Sequence, residues 1–303
     1  MKPFDLQVNG YAGVDFCSDT LSAEQIHFAC ETLKKDGVSG VLATLITDRL
    51  DRLCRKLKNW RDLREQDPLV KELVLGFHLE GPFLTPEAGF IGAHPPSLVC
   101  PPDVDSCMRL LEAGGGMVKL LTLAPELDED CEVVSRLVNE GVMVSAGHCN
   151  PSLDQLTKSI DHGLGMVTHF GNGCPPVLDR HDNILQRFLS LRDQLWFCFI
   201  ADGNHMPFHV LSNYLSLVGV ERSIMVTDAI SAASMSPGAY ELSGLEVMVD
   251  DQGVTSRKGV SGLAGSTLTN SRLVENLKTD LRFSSQSIEK LMDLNPRKAL
   301  GIP

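Results

Sequence analysis

Acidic and imidazole side chains end several short apolar runs in this sequence. The run at 73–77 leads into His78 and Glu80, and two later runs lead into His148 and His169. In a parallel α/β barrel the carboxyl ends of the strands meet on one face, so side chains placed there converge. Two histidines and one carboxylate suit a catalytic Zn²⁺ or Fe²⁺ ion that activates water and polarises a carbonyl. The pattern alone does not choose between His78 and Glu80, because both lie on the same strand face.

A further carboxylate, Asp228, follows another apolar run and is a candidate general base. A carboxylate beside an activated water can take its proton and return it to a leaving group. The competing interpretation of Asp228 is a helix N-cap, a position that Asp often fills. The Gly/Pro loop at 171–176 exposes backbone N–H groups beside His169, as an oxyanion or phosphate site requires. Arg180 and His205 lie close to this loop in the implied barrel and could supply positive charge.

The elements that must position these residues alternate between short apolar runs and amphipathic segments of helical length. Alternation of this kind predicts parallel strands joined by helices. The predicted strands cover residues 4–8, 41–47, 73–80, 118–124, 142–146, 165–168, 196–201 and 223–227. The predicted helices lie near residues 22–35, 48–65, 104–113, 129–139, 152–161, 267–279, 287–293 and 296–300. Eight strands favour an α/β fold of the (β/α)₈ TIM barrel type, with residues 1–303 as a single domain.

After the eighth strand, residues 240–249 alternate between apolar and polar side chains. The run 250–253, Asp-Asp-Gln-Gly, has the composition of a hairpin turn. The sequence therefore predicts a β-hairpin insertion on the face that carries the candidate site.

Net charge and cysteine content limit the kinds of binding partner and the cellular compartment that are expected for this protein. The 303 residues carry a formal net charge of −12, which argues against nucleic acid or an anionic membrane as a partner. The nine cysteines are odd in number and include no C-x-x-C pair, which is typical of reduced thiols in the cytoplasm. No signal peptide and no membrane-spanning segment is expected from the sequence.

Short motifs follow one another along nearly the whole chain. They are DLQVNG at 5–10, GVDF at 13–16, HLEGPF at 78–83, GAH at 92–94, LAPE at 123–126, AGH at 146–148, TH at 168–169, IADG at 200–203, VTDA at 226–229 and LAGSTL at 263–268. In order and spacing this set resembles the N-acetylglucosamine-6-phosphate deacetylase family of the amidohydrolase superfamily. The resemblance implies a TIM barrel of the metal-dependent hydrolase type.

The resemblance also implies a role for each residue of the candidate site. Glu80, His148 and His169 would bind the metal, Asp228 would be the general base and acid, and His94 would bind and polarise the acetyl carbonyl. Zn²⁺ is the expected ion, with Fe²⁺ as the alternative that the same ligands accept.

Strand one differs from that of many amidohydrolases, which carry His-x-His there. This chain has Gln7 and Asn9 at those positions, and neither amide is a strong ligand for a divalent ion. One metal ion is therefore expected, with Gln7 near its bound water.

For the substrate, the resemblance implies that Asn172, the Gly173 backbone, Arg180 and His205 hold a sugar phosphate. Arg180 would reach the site of a neighbouring subunit, so a homodimer is implied. The sugar pocket would be lined by a loop that includes Ala264, Ser266, Thr267 and Leu268.

The implied reaction is hydrolysis of the acetyl group from N-acetylglucosamine 6-phosphate or a close N-acyl amino-sugar phosphate. Two alternatives stay open: an amidohydrolase for a non-phosphorylated N-acyl sugar or a cyclic amide, and a catalytically weak sugar-phosphate-binding paralogue. The usual Phe-Asn-Ala-Met after the second metal histidine is Gly-Asn-Gly-Cys at 171–174 here, and residues 204–207 also differ from the family pattern. Family members also build a small β-sandwich from flanking segments, and this sequence is expected to lack it.

Overall fold

Eight parallel strands form the central sheet of the molecule. A computed structural model of the chain describes residues 1–257 and 262–302. The strands are β1 (Phe4–Val8), β2 (Gly40–Ile46), β3 (Val74–Glu80), β4 (Val118–Leu123), β5 (Met143–Ala146), β6 (Leu164–Val167), β7 (Trp196–Ile200) and β8 (Ser223–Val226). They pair in chain order, each parallel to the next, which makes a nearly closed (β/α)₈ barrel.

Helices cover the outside of the barrel. They are α1 (Ala23–Lys35), α2 (Leu50–Gln66), α3 (Pro68–Leu73), α4 (Val104–Gly114), α5 (Glu132–Asn139), α6 (Leu153–Asp161), α7 (Ile184–Ser190), α8 (Phe208–Val218), α9 (Asn270–Thr279), α10 (Ser285–Glu289) and α11 (Asn295–Leu300). A π-helical segment, Lys290–Leu294, links the last two. Because helices lie outside and side chains fill the interior, every residue of β2 and β7 is buried.

The first and last strands meet at a seam where side chains supplement the backbone. The Asp5 carboxylate accepts hydrogen bonds from the backbone N–H of Thr227, at 3.2 Å, and from its hydroxyl, at 2.6 Å. Further along, the Asn9 N–H donates to the Ala229 carbonyl at 2.7 Å. This seam fixes the end of β1 beside the residues that follow β8.

The barrel interior contains a buried polar layer. His78 Nε2 lies 2.8 Å from the hydroxyl of Thr122, which lies 2.7 Å from that of Thr168. Ser145 completes the chain, 2.7 Å from Thr168. Burial lowers the pKa of His78 to about 4, so its ring is neutral near pH 7. His78 is therefore a hydrogen-bonded core residue.

The predicted strands agree with the structure to within two residues at each end. Three helices, α3, α7 and α8, were not predicted, and residue 73, predicted to begin a strand, ends α3. The predicted hairpin turn at 250–253 is confirmed, because it joins the antiparallel strands β10 (Leu245–Val249) and β11 (Thr255–Ser256). The preceding run, predicted as one alternating segment over 240–249, is instead two antiparallel strands, β9 (Gly238–Leu242) and β10. They are joined at Ser243 and Gly244, whose φ values are 53° and 77°.

Within residues 1–257 and 262–302, no helix combines the length and the apolar composition that a bilayer crossing requires.

Candidate active site

Three ligand-type side chains converge at the carboxyl ends of the strands. Glu80 is the last residue of β3, while His148 and His169 each follow a strand by two residues. Glu80 Oε1 lies 2.8 Å from His169 Nε2 and 3.3 Å from His148 Nε2, and the two ring nitrogens are 3.1 Å apart. All three side chains are buried. Glu80, rather than His78, belongs to this group.

The donor set and its spacing fit a divalent metal ion. With Zn²⁺ bonds of about 2.0–2.1 Å, tetrahedral ligand atoms lie roughly 3.3 Å apart, close to the separations found here. His148 Nδ1 lies 2.8 Å from the Phe90 carbonyl, so Nδ1 carries the proton and Nε2 offers its lone pair to the centre. Burial alone would raise the pKa of Glu80, but its hydrogen bonds with His148 and His169 hold that pKa well below its usual value. The carboxylate is therefore ionised and able to bind a cation.

The backbone is in the left-handed region at three of the residues that face this centre. The φ angles are 49° at His148, 32° at His169 and 52° at Asp228. Non-glycine residues rarely adopt positive φ, and such strain recurs at functional sites. The sharp turn at each strand end directs the side chain over the barrel mouth.

Asp228 lies beside Glu80, His148 and His169, which are called the metal-type cluster below, and two side-chain amides donate hydrogen bonds to it. Gln7 Nε2 donates to Asp228 Oδ1 at 3.1 Å and to Glu80 Oε2 at 3.2 Å. Asn9 Nδ2 donates to the same Asp228 oxygen at 2.7 Å. Burial and the charge of Glu80 raise the pKa of Asp228 above its usual range. Strand one thus supplies donors to both carboxylates.

The structure decides whether Asp228 is a helix N-cap and shows a contact of strand one that the sequence did not predict. The helix after Asp228 begins at Asn270 and is capped by Thr269, so Asp228 is not a helix N-cap. Asn9 was considered in the sequence only as a weak metal ligand, and its contact with Asp228 was not predicted, although two-residue alternation places it on the same face as Gln7.

His94 reaches the cluster from the long loop after β3. Its Nδ1 lies 2.9 Å from the Thr47 hydroxyl, and its Nε2 lies 4.0 Å from Glu80 Oε1. The ring packs edge-on against His148, with centroids 4.5 Å apart. Burial, with His148 next to it, lowers the pKa of His94 to about 3, so the ring is neutral and acts by hydrogen bonding. Sequence reasoning missed Thr47, whose contact with His94 spans 47 residues.

A cavity of about 300 Å³ opens above these residues and is large enough for a sugar. Besides the cluster itself, its wall contains several residues predicted to bind substrate or next to them: Asn172, Gly173, Asn204, His205, Leu263 and Gly265. The wall approaches His148 closely at Gly173, where φ is 62° and a Cβ atom would lie 2.9 Å from Nδ1 of the ring.

The other predicted substrate residues lie outside this wall. Arg180 is exposed. Ala264 and Leu268 are buried, the Ser266 hydroxyl donates to the Thr227 carbonyl, and the Thr267 hydroxyl donates to the Gly253 carbonyl. In this loop the cavity is lined by the neighbouring Leu263 and Gly265. The predicted roles of these residues stay predictions.

No model of a known protein family matches the chain, but individual proteins do. N-acetylglucosamine-6-phosphate deacetylase from Bacillus subtilis is 30% identical over 302 residues, which is 98% of this chain and 74% of that protein. N-acetylgalactosamine-6-phosphate deacetylase from Escherichia coli O157:H7 is 30% identical over 98% of this chain and 77% of that protein. The human N-acetylglucosamine-6-phosphate deacetylase is also 30% identical, over 98% of this chain and 73% of that protein.

Solved structures of deacetylases are also similar to this chain. An aspartate-to-alanine variant of the Mycobacterium smegmatis deacetylase, in complex with N-acetyl-D-glucosamine-6-phosphate, has a TM-score of 0.89 at 29% identity. It matches 100% of this chain and 77% of that one. The Thermotoga maritima deacetylase has a TM-score of 0.87 at 30% identity, over 99% of this chain and 78% of that one.

Proposed function

The chain belongs to the N-acetylglucosamine-6-phosphate deacetylase family, and on this basis we propose that it hydrolyses N-acetylglucosamine 6-phosphate, or a close N-acyl amino-sugar phosphate, to the amine and acetate. The observation that carries the proposal is the convergence of Glu80, His148 and His169 within 3.3 Å of one another, with Asp228 beside them. This arrangement is suited to hydrolysis of an amide.

The residues that would hold a divalent metal ion are Glu80, His148 and His169, which together offer one carboxylate oxygen and two imidazole nitrogens. We propose Zn²⁺, with Fe²⁺ as the alternative that the same ligands accept. When bound, such an ion supplies Lewis acidity toward the acetyl carbonyl and toward water. Elemental analysis of the purified protein distinguishes the two metals.

In the proposed reaction Asp228 moves the protons. It takes a proton from the attacking water as the new C–O bond forms, and it returns that proton to the nitrogen as the C–N bond breaks. The amides of Gln7 and Asn9 support this role because both donate to Oδ1 and so orient the carboxylate. His94, neutral and held by Thr47, would hydrogen-bond the acetyl oxygen.

The sugar phosphate would occupy the cavity above the cluster. Asn172, the Gly173 backbone and His205, which line it, are proposed to bind the phosphate. The loop that contains Ala264, Ser266, Thr267 and Leu268 is proposed to lie along the sugar, contacting it through Leu263 and Gly265. The Escherichia coli relative is named for the galactosamine epimer, so the sugar epimer is a point to test.

The deciding experiment measures amine release from N-acetylglucosamine 6-phosphate, N-acetylgalactosamine 6-phosphate and N-acetylglucosamine side by side. We expect a phosphorylated sugar to be hydrolysed with the higher kcat/KM. Equal rates, or a preference for the free sugar, would contradict the phosphate assignment. No release from any of the three would contradict the deacetylase assignment.

We further propose that the protein is a homodimer in which Arg180 contacts substrate in the partner's site. Arg180 is exposed and does not line the cavity of its own chain, which supports this arrangement. Mixing Arg180→Ala with Asp228→Asn protein should restore activity, because a mixed dimer contains one complete site. A monomer in sedimentation, or no recovery on mixing, would contradict the proposal.

We also propose that residues 1–303 form a single metal-dependent hydrolase barrel domain and that the protein is cytoplasmic. All nine cysteines are free thiols, which supports a reducing compartment. Limited proteolysis tests the first proposal, since a single domain should give no stable fragment. Cell fractionation tests the second.

A further inference from the structure

An aspartate–histidine pair follows β7 at the edge of the cavity. Asp202 Oδ2 lies 2.6 Å from His205 Nδ1, and the two side chains are 8% and 7% exposed. His205 lines the cavity, whereas Asp202 is not part of its wall. Asp202 was not among the site residues predicted from the sequence, and its contact with the substrate would be indirect.

Asp202 holds both the loop and the ring. Its Oδ1 accepts hydrogen bonds from the backbone N–H groups of Asn204, at 2.9 Å, and His205, at 2.8 Å. Its Oδ2 accepts from the His205 ring. One carboxylate therefore fixes the turn that carries His205 and the rotation of the imidazole.

The hydrogen bond also determines which ring atom faces the cavity. An ionised carboxylate accepts only, so the proton of this bond is on His205 Nδ1, and Nε2 is the free ring atom. To bind a phosphate oxygen, Nε2 must also carry a proton, and a buried carboxylate next to Nδ1 stabilises the resulting positive ring. Burial raises the pKa of Asp202, but the bond to the His205 ring, the charge interaction with that ring and the two backbone N–H donors of the turn together hold the pKa below its usual value. Asp202 is thus ionised near pH 7.

We propose that Asp202 is a positioning residue: it holds Nδ1–H of the His205 ring on its own carboxylate, directs Nε2 toward the phosphate group of the substrate and stabilises the positive ring that forms when the phosphate binds. This inference rests on the proposed function of the cavity. In a protein with a net charge of −12, a locally fixed cation is needed to retain a dianionic substrate.

The first test is a kinetic cycle with Asp202→Asn, His205→Asn and the double variant. The Asn side chain keeps an oxygen for the turn but presents an amide N–H to Nδ1, so the ring loses the carboxylate that accepts from Nδ1–H and stabilises a positive charge. We expect Asp202→Asn to raise KM for the phosphorylated sugar about tenfold, with a smaller change in kcat, and the double variant to be no worse than His205→Asn. KM for the free sugar should change less than twofold.

The matched control is Asp250→Asn. Asp250 Oδ1 accepts from the N–H groups of Gln252 and Val254, the same kind of turn, with no histidine ring bound. An equal effect of Asp202→Asn on both sugars, or full additivity with His205→Asn, would show that Asp202 acts only on the fold and would overturn the inference.

The second test does not depend on turnover. ¹H–¹⁵N correlation spectra of the wild-type imidazoles should show a proton on His205 Nδ1, and a proton on Nε2 as well when inorganic phosphate is added. In Asp202→Asn, Nδ1 should be unprotonated and phosphate affinity about tenfold lower. A His205 Nδ1 without a proton in the wild type, or unchanged phosphate affinity in the variant, would refute the inference. Absence of hydrolysis in the assay would instead refute the proposed function.

Discussion

At the scale of single residues, three side chains of the candidate site stand on strained backbone. His148, His169 and Asp228 all have positive φ, a conformation that costs about 1–3 kcal/mol at each residue. The surrounding hydrogen bonds hold them there. One of these bonds joins the N–H of Ser266 to the Asp228 carbonyl. The orientation of these three side chains thus depends on a strained backbone conformation that neighbouring hydrogen bonds stabilise.

Replacing Asp228 by Asn should remove the proposed general base while keeping the shape of the side chain. General acid–base catalysis contributes about 10²–10⁴-fold, so we expect kcat to fall by roughly that factor. Metal content should stay unchanged, because the ligand set does not include Asp228. Amine release and elemental analysis measure the two quantities. Undiminished turnover would mean that another group moves the proton.

A second residue-scale prediction concerns stability and pH at Glu126. Its Oε2 has no hydrogen-bond partner within the described residues, and burial raises its pKa to about 7. The ordinary value is about 4.3, so between these pH values the folded protein binds more protons than the unfolded one. Stability must then fall as pH rises through this window.

Glu126→Gln should therefore stabilise the protein relative to wild type at pH 8, by about 1–2 kcal/mol, and have little effect at pH 5. Urea unfolding at both pH values measures this difference. Glu129→Gln, at an exposed position on the same turn, is the control and should show no such change. An effect of Glu126→Gln that is equal at both pH values would contradict the assigned pKa.

At the scale of elements, the loop at 171–174 packs closely against His148 where the sequence differs from the pattern implied by the family resemblance. Gly173 is left-handed, and a Cβ atom there would lie 2.9 Å from His148 Nδ1, with Gly92 similarly close to the same ring. The family resemblance implies Ala at this position. In this chain a methyl group there would press on the His148 ring.

Gly173→Ala should accordingly weaken the enzyme, although it restores the family residue. We expect His148 to shift and metal affinity to fall about tenfold or more, with activity recovered in part by added Zn²⁺. A metal titration followed by activity measures this. Gly116→Ala, whose Cβ would have no neighbour within 4 Å, controls for left-handed strain alone. Improved activity of Gly173→Ala would contradict the argument.

Sequence pattern predicts some elements of this fold and not others, for physical reasons. The barrel strands are recognisable because helices on one side and interior side chains on the other leave them almost wholly buried. Helix α3 was missed because it follows α2 after a single residue, Asp67, which caps it. Helix α8 was missed because its sequence, FHVLSNYLSLV, is apolar enough to obscure a helical face.

The candidate site was predictable only where a residue type is itself informative. The histidines His148 and His169 are informative at strand ends, whereas the choice of Glu80 over His78 came from the family resemblance. The role of Asp228 stays a prediction. Thr47 and Asn9 are different, because such residues become functional only through contacts across the fold. Asn9 meets Asp228 across 219 positions of sequence. A single sequence contains no local signal for contacts of that range.

At the scale of the whole molecule, the metal-type cluster connects β3, β5 and β6 of one barrel. A ligand that binds only the folded state stabilises it by RT ln(1 + [L]/Kd), about 4 kcal/mol at a thousandfold excess over Kd. Removal of metal with a chelator should therefore abolish turnover and also lower Tm by several degrees. Added Zn²⁺ should restore both. A protein that is metal-free yet fully active would overturn the proposed chemistry.

The seam between β1 and β8 has a consequence for synthesis on the ribosome. Asp5 and Thr227 are 222 positions apart, so their hydrogen bonds can form only after most of the chain has been translated. Until then, the amides of Gln7 and Asn9 have no Asp228 to orient. The nascent chain thus contains Glu80, His148 and His169 well before Asp228, the proposed general base, so the complete site requires nearly the whole barrel.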